Sequence, residues 1–319
     1  MINNFNKKKY LGEAALLLMT IIWGGTFPIV KETLNNISSM LFVAIRFSIA
    51  ATIIFVIIFI KKYRFEKSVL LPGIFLGALL FTGFLFQING LKITSATKSG
   101  FITGTLVVMV PLFQTIIEKK LPSIGSQIGT VLVFIGLLFL SSGGNSITTF
   151  ISQLGSSINL GDLLTLICAA FFALHVVYID IISPKYNFWN LFFVQLITVA
   201  VLSFITSFVL HTTNFETYFF NYSSKLITGI LYTSILATCV NFGLQTRFQK
   251  VVNPTKAGII YSFEPIFAAI FAFFLLSEKI TNFGLVGSIL IFFGLIVSEA
   301  LDNLINRNSV SYGKGRDIS

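Results

Sequence analysis

The sequence predicts an all-α integral membrane protein in which ten transmembrane helices form two inverted five-helix repeats. Three observations predict this fold: the composition, the spacing of apolar runs and an internal repetition. Of the 319 residues, 55% are hydrophobic and only 11% are charged, and the mean hydropathy is +0.89. Soluble domains carry roughly 25% charged residues. With so few charged residues the chain cannot form the polar surface of a soluble protein, so we expect much of its apolar surface to lie in lipid.

The apolar residues occur in runs of about 20, the length that an α-helix needs to cross a hydrocarbon layer of about 30 Å. Within lipid the backbone must satisfy its own hydrogen bonds, which favours helices. Short polar turns separate the runs. Ten spans are predicted, over residues 11–30, 37–60, 69–91, 95–117, 123–141, 160–181, 188–210, 226–245, 252–277 and 283–300.

The Lys and Arg residues lie mainly in alternate turns between these spans. If the N-terminus is cytoplasmic, sixteen of the 22 fall in inside segments and five in outside segments. The positive-inside rule therefore predicts that both termini are cytoplasmic. The Lys7–Lys9 cluster precedes a run without a signal-cleavage pattern, so this run is interpreted as an uncleaved first span. The predicted location is the bacterial inner membrane, with multiple passes.

Several functional classes are disfavoured by composition. The net charge of +10 suggests nucleic acid, but the basic residues form no basic face, so no nucleic-acid partner is predicted. Cys168 and Cys239 lie inside apolar runs, and the two His residues have no neighbouring ligands, so neither a disulfide nor a metal site is expected. The chain has no G-x-x-x-x-G-K-[ST] phosphate loop. No catalytic residue, cofactor or metal is predicted.

The internal repetition supplies the arrangement of the spans. A shift of 158 residues superposes Gln87 on Gln245, Gly100 on Gly258, and the pair Gly129 and Gly136 on Gly287 and Gly294. Upstream a shift of 149 places Leu11-Gly12-Glu13 on Leu160-Gly161-Asp162 and Arg46 opposite Gln195.

Each repeat has five spans, an odd number, so the second copy enters the membrane inverted. The predicted domains are 1–145 and 146–302, followed by a polar cytoplasmic tail at 303–319. The extra residues of the second copy fall in the loop 211–224.

Five stretches resemble the EamA-like, ten-span branch of the drug/metabolite transporter superfamily. They are Ile22-Trp23-Gly24-Gly25-Thr26-Phe27, the segment around Arg46, Gly90 to Leu112, Asn253 to Thr281 and the segment from Gly287. The resemblance implies a secondary transporter, not an enzyme, that carries small organic metabolites, amino acids or drugs by alternating access without ATP hydrolysis. Export is the expected direction. The family pattern departs from symmetry where Leu106 stands opposite Glu264.

Two ionisable residues are predicted deep in the membrane, where charge is costly and usually functional. Arg46 either binds an anionic substrate group or ties backbone carbonyls at a helix break. Glu264 precedes Pro265, which weakens the turn before it. Its carboxyl either carries a proton or pairs with a cationic substrate group, or it stays protonated and satisfies the broken turn.

Gln87 and Gln245 are predicted at mirrored depths, as substrate or gate residues or as interhelical hydrogen-bond partners. Trp23, His175 and Tyr178 are weaker candidates, because packing also explains a single aromatic residue or His in a bundle and interfacial anchoring suits Tyr178. Sites in inverted-repeat carriers form where the halves meet, near the midplane. The predicted substrate pathway is lined by Trp23, Arg46, Gln87, Gln195, Gln245, Tyr261 and Glu264.

The expected partners are a small-molecule substrate, the lipid bilayer, and either a coupled proton or an exchanged solute. The paired glycines predict a close-packed face for a neighbouring span or a second subunit, so monomer and homodimer both remain open. A membrane scaffold or sensor, an open channel and a membrane-embedded enzyme are the alternative functions. The sequence has neither the large soluble domains typical of a sensor nor a clustered set of catalytic groups.

Overall fold

The computed structural model describes residues 2–94, 96–141, 146, 148, 159–276 and 282–314. These residues are helical almost throughout, and among them the only strand-like pairing is an isolated bridge between Ile37 and Phe220. The first half contains α1 (Ile2–Gly24), α2 (Thr26–Thr33), α3 (Ser39–Ile60), α4 (Leu70–Ile93), α5 (Ala96–Gly104), α6 (Leu106–Glu118) and α7 (Ile124–Ser141).

The second half begins with α8 (Leu160–Ile182), α9 (Phe188–Thr212) and α10 (Ser224–Leu231). A π-helical segment, Tyr232–Val240, then joins α10 to α11. The remaining helices are α11 (Asn241–Phe248), α12 (Pro254–Tyr261), α13 (Glu264–Leu276) and α14 (Asn282–Lys314). The predicted polar tail therefore continues α14 as helix as far as Lys314.

Eight helical stretches in the described part of the chain are long and apolar enough to cross a membrane. A ninth apolar helix, Ile124–Leu140, is shorter. The predicted span 252–277 is divided between α12 and α13 and reaches the edge of the described residues. The all-helical, multi-pass prediction is confirmed, whereas the number ten stays a prediction. The predicted outside loop 145–159 and the predicted domain border within it lie outside the described residues, apart from positions 146, 148 and 159.

Three apparent spans are interrupted. The first breaks at Gly25 between α1 and α2, the second at Thr105 between α5 and α6, and the third at Ser262–Phe263 between α12 and α13. Pro28 and Pro265 each lack the N–H that a continuous helix would donate to the fourth residue before it. The breaks before α6 and α13 lie at equivalent positions under the 158-residue shift, which makes them a matched pair.

Glycines allow the closest helix contacts. A Cβ placed on Gly129 would lie 2.7 Å from the carbonyl oxygen of Gly294, and one on Gly136 would lie 2.8 Å from that of Gly287. The predicted glycine face thus joins α7 to α14 within one chain. Small residues at such crossings let backbones approach and gain van der Waals contact in lipid. A similar contact, at 2.8 Å between a Cβ on Gly90 and Gly161 O, joins α4 to α8.

Candidate functional site

One cavity of about 70 Å³ lies in the centre of the bundle, between α1/α2, α3, α4, α5/α6, α8, α11 and α12/α13. This volume is room for several water molecules. Aromatic and aliphatic side chains form most of its wall, and a few polar groups face them. The lining residues are Trp23, Thr26, Phe27, Val30, Arg46, Leu80, Phe84, Gln87, Ile88, Leu91, Thr103, Leu106, Phe172, His175, Val176, Phe242, Gln245, Tyr261 and Glu264.

Most of these lining residues occur as equivalent pairs from the two sequence copies. Seven pairs line the cavity together: Trp23 with Phe172, Thr26 with His175, Phe27 with Val176, Phe84 with Phe242, Gln87 with Gln245, Thr103 with Tyr261, and Leu106 with Glu264. The first three pairs follow the 149-residue shift, and the others follow the 158-residue shift. The remaining lining residues all belong to the first copy: Val30, Arg46, Leu80, Ile88 and Leu91.

Arg46 reaches the cavity from the middle of α3, and its side chain is buried. Its Nε donates to Thr238 Oγ1 at 2.7 Å, and its Nη2 donates to the Ala237 carbonyl oxygen at 3.4 Å. The guanidinium carbon lies 4.9 Å from the centre of the Phe84 ring, a cation–π contact. No carboxylate of the described residues forms an ion pair with it.

The π-helical segment explains why Ala237 and Thr238 are available to Arg46. A π-turn bonds residue i to i−5, and such turns often occur at functional sites. Here the backbone N–H of Asn241 bonds to the Leu236 carbonyl oxygen, five residues earlier. The side-chain Oγ1 of Thr238 also donates to the Thr233 carbonyl oxygen, at 2.8 Å. Ala237 O also accepts a hydrogen bond from Trp23 Nε1 at 3.1 Å. The predicted tie of Arg46 to backbone at a helix irregularity is therefore present, with the π-helix as the irregularity.

Glu264 is the first residue of α13, immediately after the break at Ser262–Phe263. The partial positive charge of a helix N-terminus favours a carboxylate there. Among the described residues its carboxyl has neither a hydrogen bond nor an ion pair. The alternative that Glu264 satisfies the broken turn thus has no supporting contact in this conformation, and the carboxyl borders the cavity instead.

Gln195 is the one residue of the predicted pathway that does not line the cavity. Six of the seven predicted residues line the cavity, but Gln195 lies behind the wall, buried in α9, and contacts His175. His175 Nε2 is 3.1 Å from Gln195 Oε1. His175 on α8 therefore lines the cavity, and Gln195 contacts its ring from α9.

The cavity is closed toward the end of the bundle where α1 begins. Tyr261 at the cavity floor donates to Gln249 Oε1 at 2.7 Å, and below it an apolar layer includes Leu16 and Met19. Beyond this layer Lys256, itself buried, pairs with Glu13 at 2.8 Å and with Glu299. Lys9 pairs with Glu299 at 3.3 Å. We call the set Lys9, Glu13, Lys256 and Glu299 the ion cluster.

Several cavity residues were not predicted from sequence. Thr103 and Phe172 carry no charge and no recognisable motif, so only their equivalence to Tyr261 and Trp23 singles them out. His175 is only a weaker candidate from sequence, because a single His in an apolar helix usually packs against neighbouring helices. The 149-residue shift that places Arg46 opposite Gln195 also places Thr26 opposite His175. This equivalence is the sequence pattern that could have indicated His175 as a cavity residue.

A polytopic helical bundle around a partly polar cavity defines a membrane protein of the transporter class. The sequence matches the profile of the EamA-like transporter family over residues 10–142 and 159–299. This chain therefore belongs to the EamA-like transporter family, as the resemblance predicted. The prediction of a transporter is confirmed at that level.

Similar proteins agree with this assignment. An uncharacterized transporter of Archaeoglobus fulgidus is 33% identical over 290 residues, covering 91% of this chain and 86% of that protein. The uncharacterized transporter YoaV of Bacillus subtilis is 25% identical, covering 89% of this chain and 94% of YoaV. A crystal structure at 14% identity has a TM-score of 0.73, covering 92% of this chain and 98% of that one, and shares the fold.

Proposed function

We propose that this transporter is a secondary carrier that moves small organic compounds by alternating access through the central cavity, with export as its direction. The observation that carries the proposal is the seven equivalent pairs in the cavity wall. In an inverted repeat the two copies can exchange conformations, so that one site opens first to one end and then to the other. A wall built from matched positions of both copies is what this exchange requires.

The asymmetric part of the wall supports a conformation that is closed at one end. All lining residues without an equivalent in the other copy belong to the first copy. Among them, Val30 lies near the end of α2 and Leu91 near the end of α4, both away from the start of α1. The cavity thus extends away from the ion cluster. Opening toward the cluster would have to separate Lys256 on α12 from Glu13 on α1. The ion cluster is accordingly proposed as the closure of that end.

The side chains of the cavity favour a compound with an apolar body and an anionic group. Phe84, Phe172 and Phe242 supply aromatic surface, and Arg46 retains N–H groups beyond the two that bond Thr238 and Ala237. Metabolites, amino acids and drugs of this chemistry are the proposed substrates. Glu264 is proposed either to carry a coupled proton or to bind a cationic substrate group.

The cellular arrangement is proposed from charge. The distribution of Lys and Arg supports a bacterial inner-membrane location with both termini cytoplasmic. The ion cluster would then face the cytoplasm. The α7–α14 glycine contact is made within one chain, so the repeated glycines do not require a second subunit.

The experiment begins with a screen for compounds whose efflux or toxicity changes in an overexpressing strain. Purified protein is then reconstituted in liposomes loaded with the unlabelled compound, and uptake of the labelled compound is followed. A carrier gives saturable uptake that internal compound accelerates. An open channel gives flux without acceleration, and a scaffold or sensor gives none; either result contradicts the proposal. Arg46→Ala, at equal abundance, serves as the cavity control.

A further inference from the structure

We infer that His175 is a specificity-determining residue of the cavity and that Gln195 is its positioning residue. Gln195 holds the imidazole as the tautomer protonated on Nε2, which leaves Nδ1 as a hydrogen-bond acceptor for an N–H or O–H group of the transported compound. The inference rests on the proposed function, because the cavity must be the substrate site for Nδ1 to meet a substrate.

The amide of Gln195 fixes the direction of the bond. Gln195 Nε2 donates to the Leu191 carbonyl oxygen, one turn earlier in α9, at 3.3 Å. The amide oxygen therefore faces the ring, 3.1 Å from His175 Nε2. A carbonyl oxygen only accepts, so Nε2 must carry the proton. Turning the amide over would set its oxygen against the Leu191 oxygen and lose the Gln195–Leu191 bond, so this bond selects the orientation.

The other ring nitrogen is then an acceptor. Within the described part of the chain Nδ1 has no hydrogen bond, although the ring is 98% buried and lines the cavity. An acceptor on the cavity wall is open to a hydrogen-bond partner from within the cavity. A donor group on a bound compound would form that hydrogen bond. The site therefore favours compounds that present such a donor over otherwise similar compounds that lack it.

The equivalent position in the first copy behaves differently. Thr26, opposite His175 in the repeat, donates its hydroxyl to the Trp23 carbonyl oxygen at 2.7 Å and is satisfied within its own helix pair. Arg46, opposite Gln195, presents hydrogen-bond donors to the cavity. One copy thus offers donors where the other offers an acceptor. The two copies therefore present different hydrogen-bonding groups to one bound compound.

The first test reads the tautomer directly. The chain has two His residues, so His211→Gln leaves His175 alone for nitrogen NMR of protein made with ¹⁵N-labelled histidine. We expect one neutral tautomer at neutral pH, protonated on Nε2. Gln195→Leu should give a mixture of the two neutral tautomers. Protonation on Nδ1, or on both nitrogens, in the protein with Gln195 intact overturns the inference.

The second test reads selectivity. Trp189→Phe leaves Trp23, in the cavity wall, as the only Trp, and its fluorescence then reports binding. The probes are 3-phenyllactate and 3-phenylpropionate, which share a carboxylate and a phenyl ring and differ in one hydroxyl. One hydrogen bond of about 1 kcal/mol corresponds to roughly fivefold in affinity.

We expect phenyllactate to bind about fivefold more tightly, with this preference lost in His175→Phe and reduced in Gln195→Leu. Equal affinities for the parent protein, or an unchanged preference in His175→Phe, overturn the inference. If neither acid alters Trp23 fluorescence, the proposed carboxylate site fails, and the role of Nδ1 as a substrate acceptor fails with it. The Gln195–His175 tautomer is judged separately by the NMR measurement, so the two failures are distinguishable.

Discussion

Gly136 on α7 and Gly287 on α14 face each other where the two helices cross. A Cβ on Gly136 would lie 2.8 Å from the Gly287 carbonyl oxygen, and a Cβ on Gly287 would lie 2.5 Å from the Gly136 carbonyl oxygen. Gly129 and Gly294 have the same reciprocal relationship. Equivalent glycines of the two copies therefore form one antiparallel contact, as expected if a pseudo-two-fold axis relates the copies.

Because of this glycine contact, we expect substitution of Gly136 to lower the stability of the protein without altering the cavity. In Gly136→Ala the new methyl group must push backbone away, and overpacking of this kind costs about 1–3 kcal/mol. Gly136→Leu should be worse and should reduce the yield of monodisperse protein. Gly100→Ala is the matched control, because its Cβ would meet nothing closer than Phe27 at 3.8 Å. Thermal unfolding of the purified variants checks this, and equal melting temperatures for Gly136→Ala and Gly100→Ala would contradict the packing account.

Glu216 predicts a pH-dependent stability. It lies in the loop 213–223, where it accepts a hydrogen bond from the Ser39 backbone N–H at 2.8 Å and pairs with Lys92. Burial alone would raise the pKa of its carboxyl, but the bonds from Lys92 and Ser39 outweigh burial and lower the pKa below its usual value. The stabilisation is therefore complete above the ordinary carboxyl pKa and is lost as pH falls through the lowered pKa.

We expect Glu216→Gln to lower the melting temperature at neutral pH and to match the parent protein at strongly acidic pH. The control is Glu32→Gln, since Glu32 and Lys225 form an exposed pair at 2.5 Å, and exposed pairs contribute little. A melting-temperature difference for Glu216→Gln that does not shrink as pH falls would show that the carboxylate charge is not what stabilises the loop.

Arg46 and Gln245 predict losses of transport in a folded protein. Arg46→Ala removes the bonds to Thr238 and Ala237 as well as the proposed anion contact, so uptake in counterflow should fall at least tenfold. Arg46→Lys should recover only part of it, because one ammonium cannot reproduce the forked geometry of a guanidinium. Gln245→Ala should weaken transport less. Wild-type kinetics in Arg46→Ala and Gln245→Ala, at equal membrane abundance, would mean that these side chains are structural only.

Glu264 is the residue expected to couple transport to protons. Among the described residues it is the only carboxyl in the cavity wall. If transport is proton-linked, Glu264→Gln should abolish uptake driven by a pH gradient while sparing exchange of labelled for unlabelled compound. The measurement compares the two modes in the same liposomes. Unchanged dependence on the pH gradient in Glu264→Gln would remove Glu264 from the coupling mechanism.

The helical class and six residues of the cavity wall could be predicted from sequence because hydropathy and repetition are local or periodic signals. Gln87 and Gln245 were found as an equivalent pair, and the structure brings both to one cavity. Gln195 does not line the cavity, because the repeat indicates the depth of a residue but not which side chain lies between it and the cavity. Only the three-dimensional packing of α8 shows that His175 covers it.

Two further features depend on contacts that a sequence pattern does not encode. The π-helical segment Tyr232–Val240 has no proline, so no local breaker announces it, and its effect appears only where Arg46 meets Ala237 and Thr238. The ion cluster joins residues almost 300 positions apart in the chain, and Lys9, Glu13 and Glu299 each resemble ordinary charges at a helix end in the sequence. Lys256, which pairs with Glu13 and Glu299, is predicted only as a cation of an inside loop.

The measurement that tests alternating access most directly is the accessibility of one cysteine in the cavity from each end. Cys168 and Cys239 are replaced by Ala, Leu106→Cys is introduced in the cavity wall, and a membrane-impermeant methanethiosulfonate is added to either face. Intact cells and inside-out vesicles expose the opposite faces. Glu13→Gln weakens the ion cluster by removing the charge that pairs with Lys256 at 2.8 Å, and Glu32→Gln is the control at the other end.

We predict that position 106 reacts mainly from the periplasmic face in the Leu106→Cys protein. Glu13→Gln should raise its reactivity from the cytoplasmic face and lower it from the periplasmic face, whereas Glu32→Gln should change neither. Equal reactivity from both faces in the Leu106→Cys protein would indicate a channel. If Glu13→Gln raised the reactivity of position 106 from the cytoplasmic face without lowering it from the periplasmic face, alternating access would be contradicted.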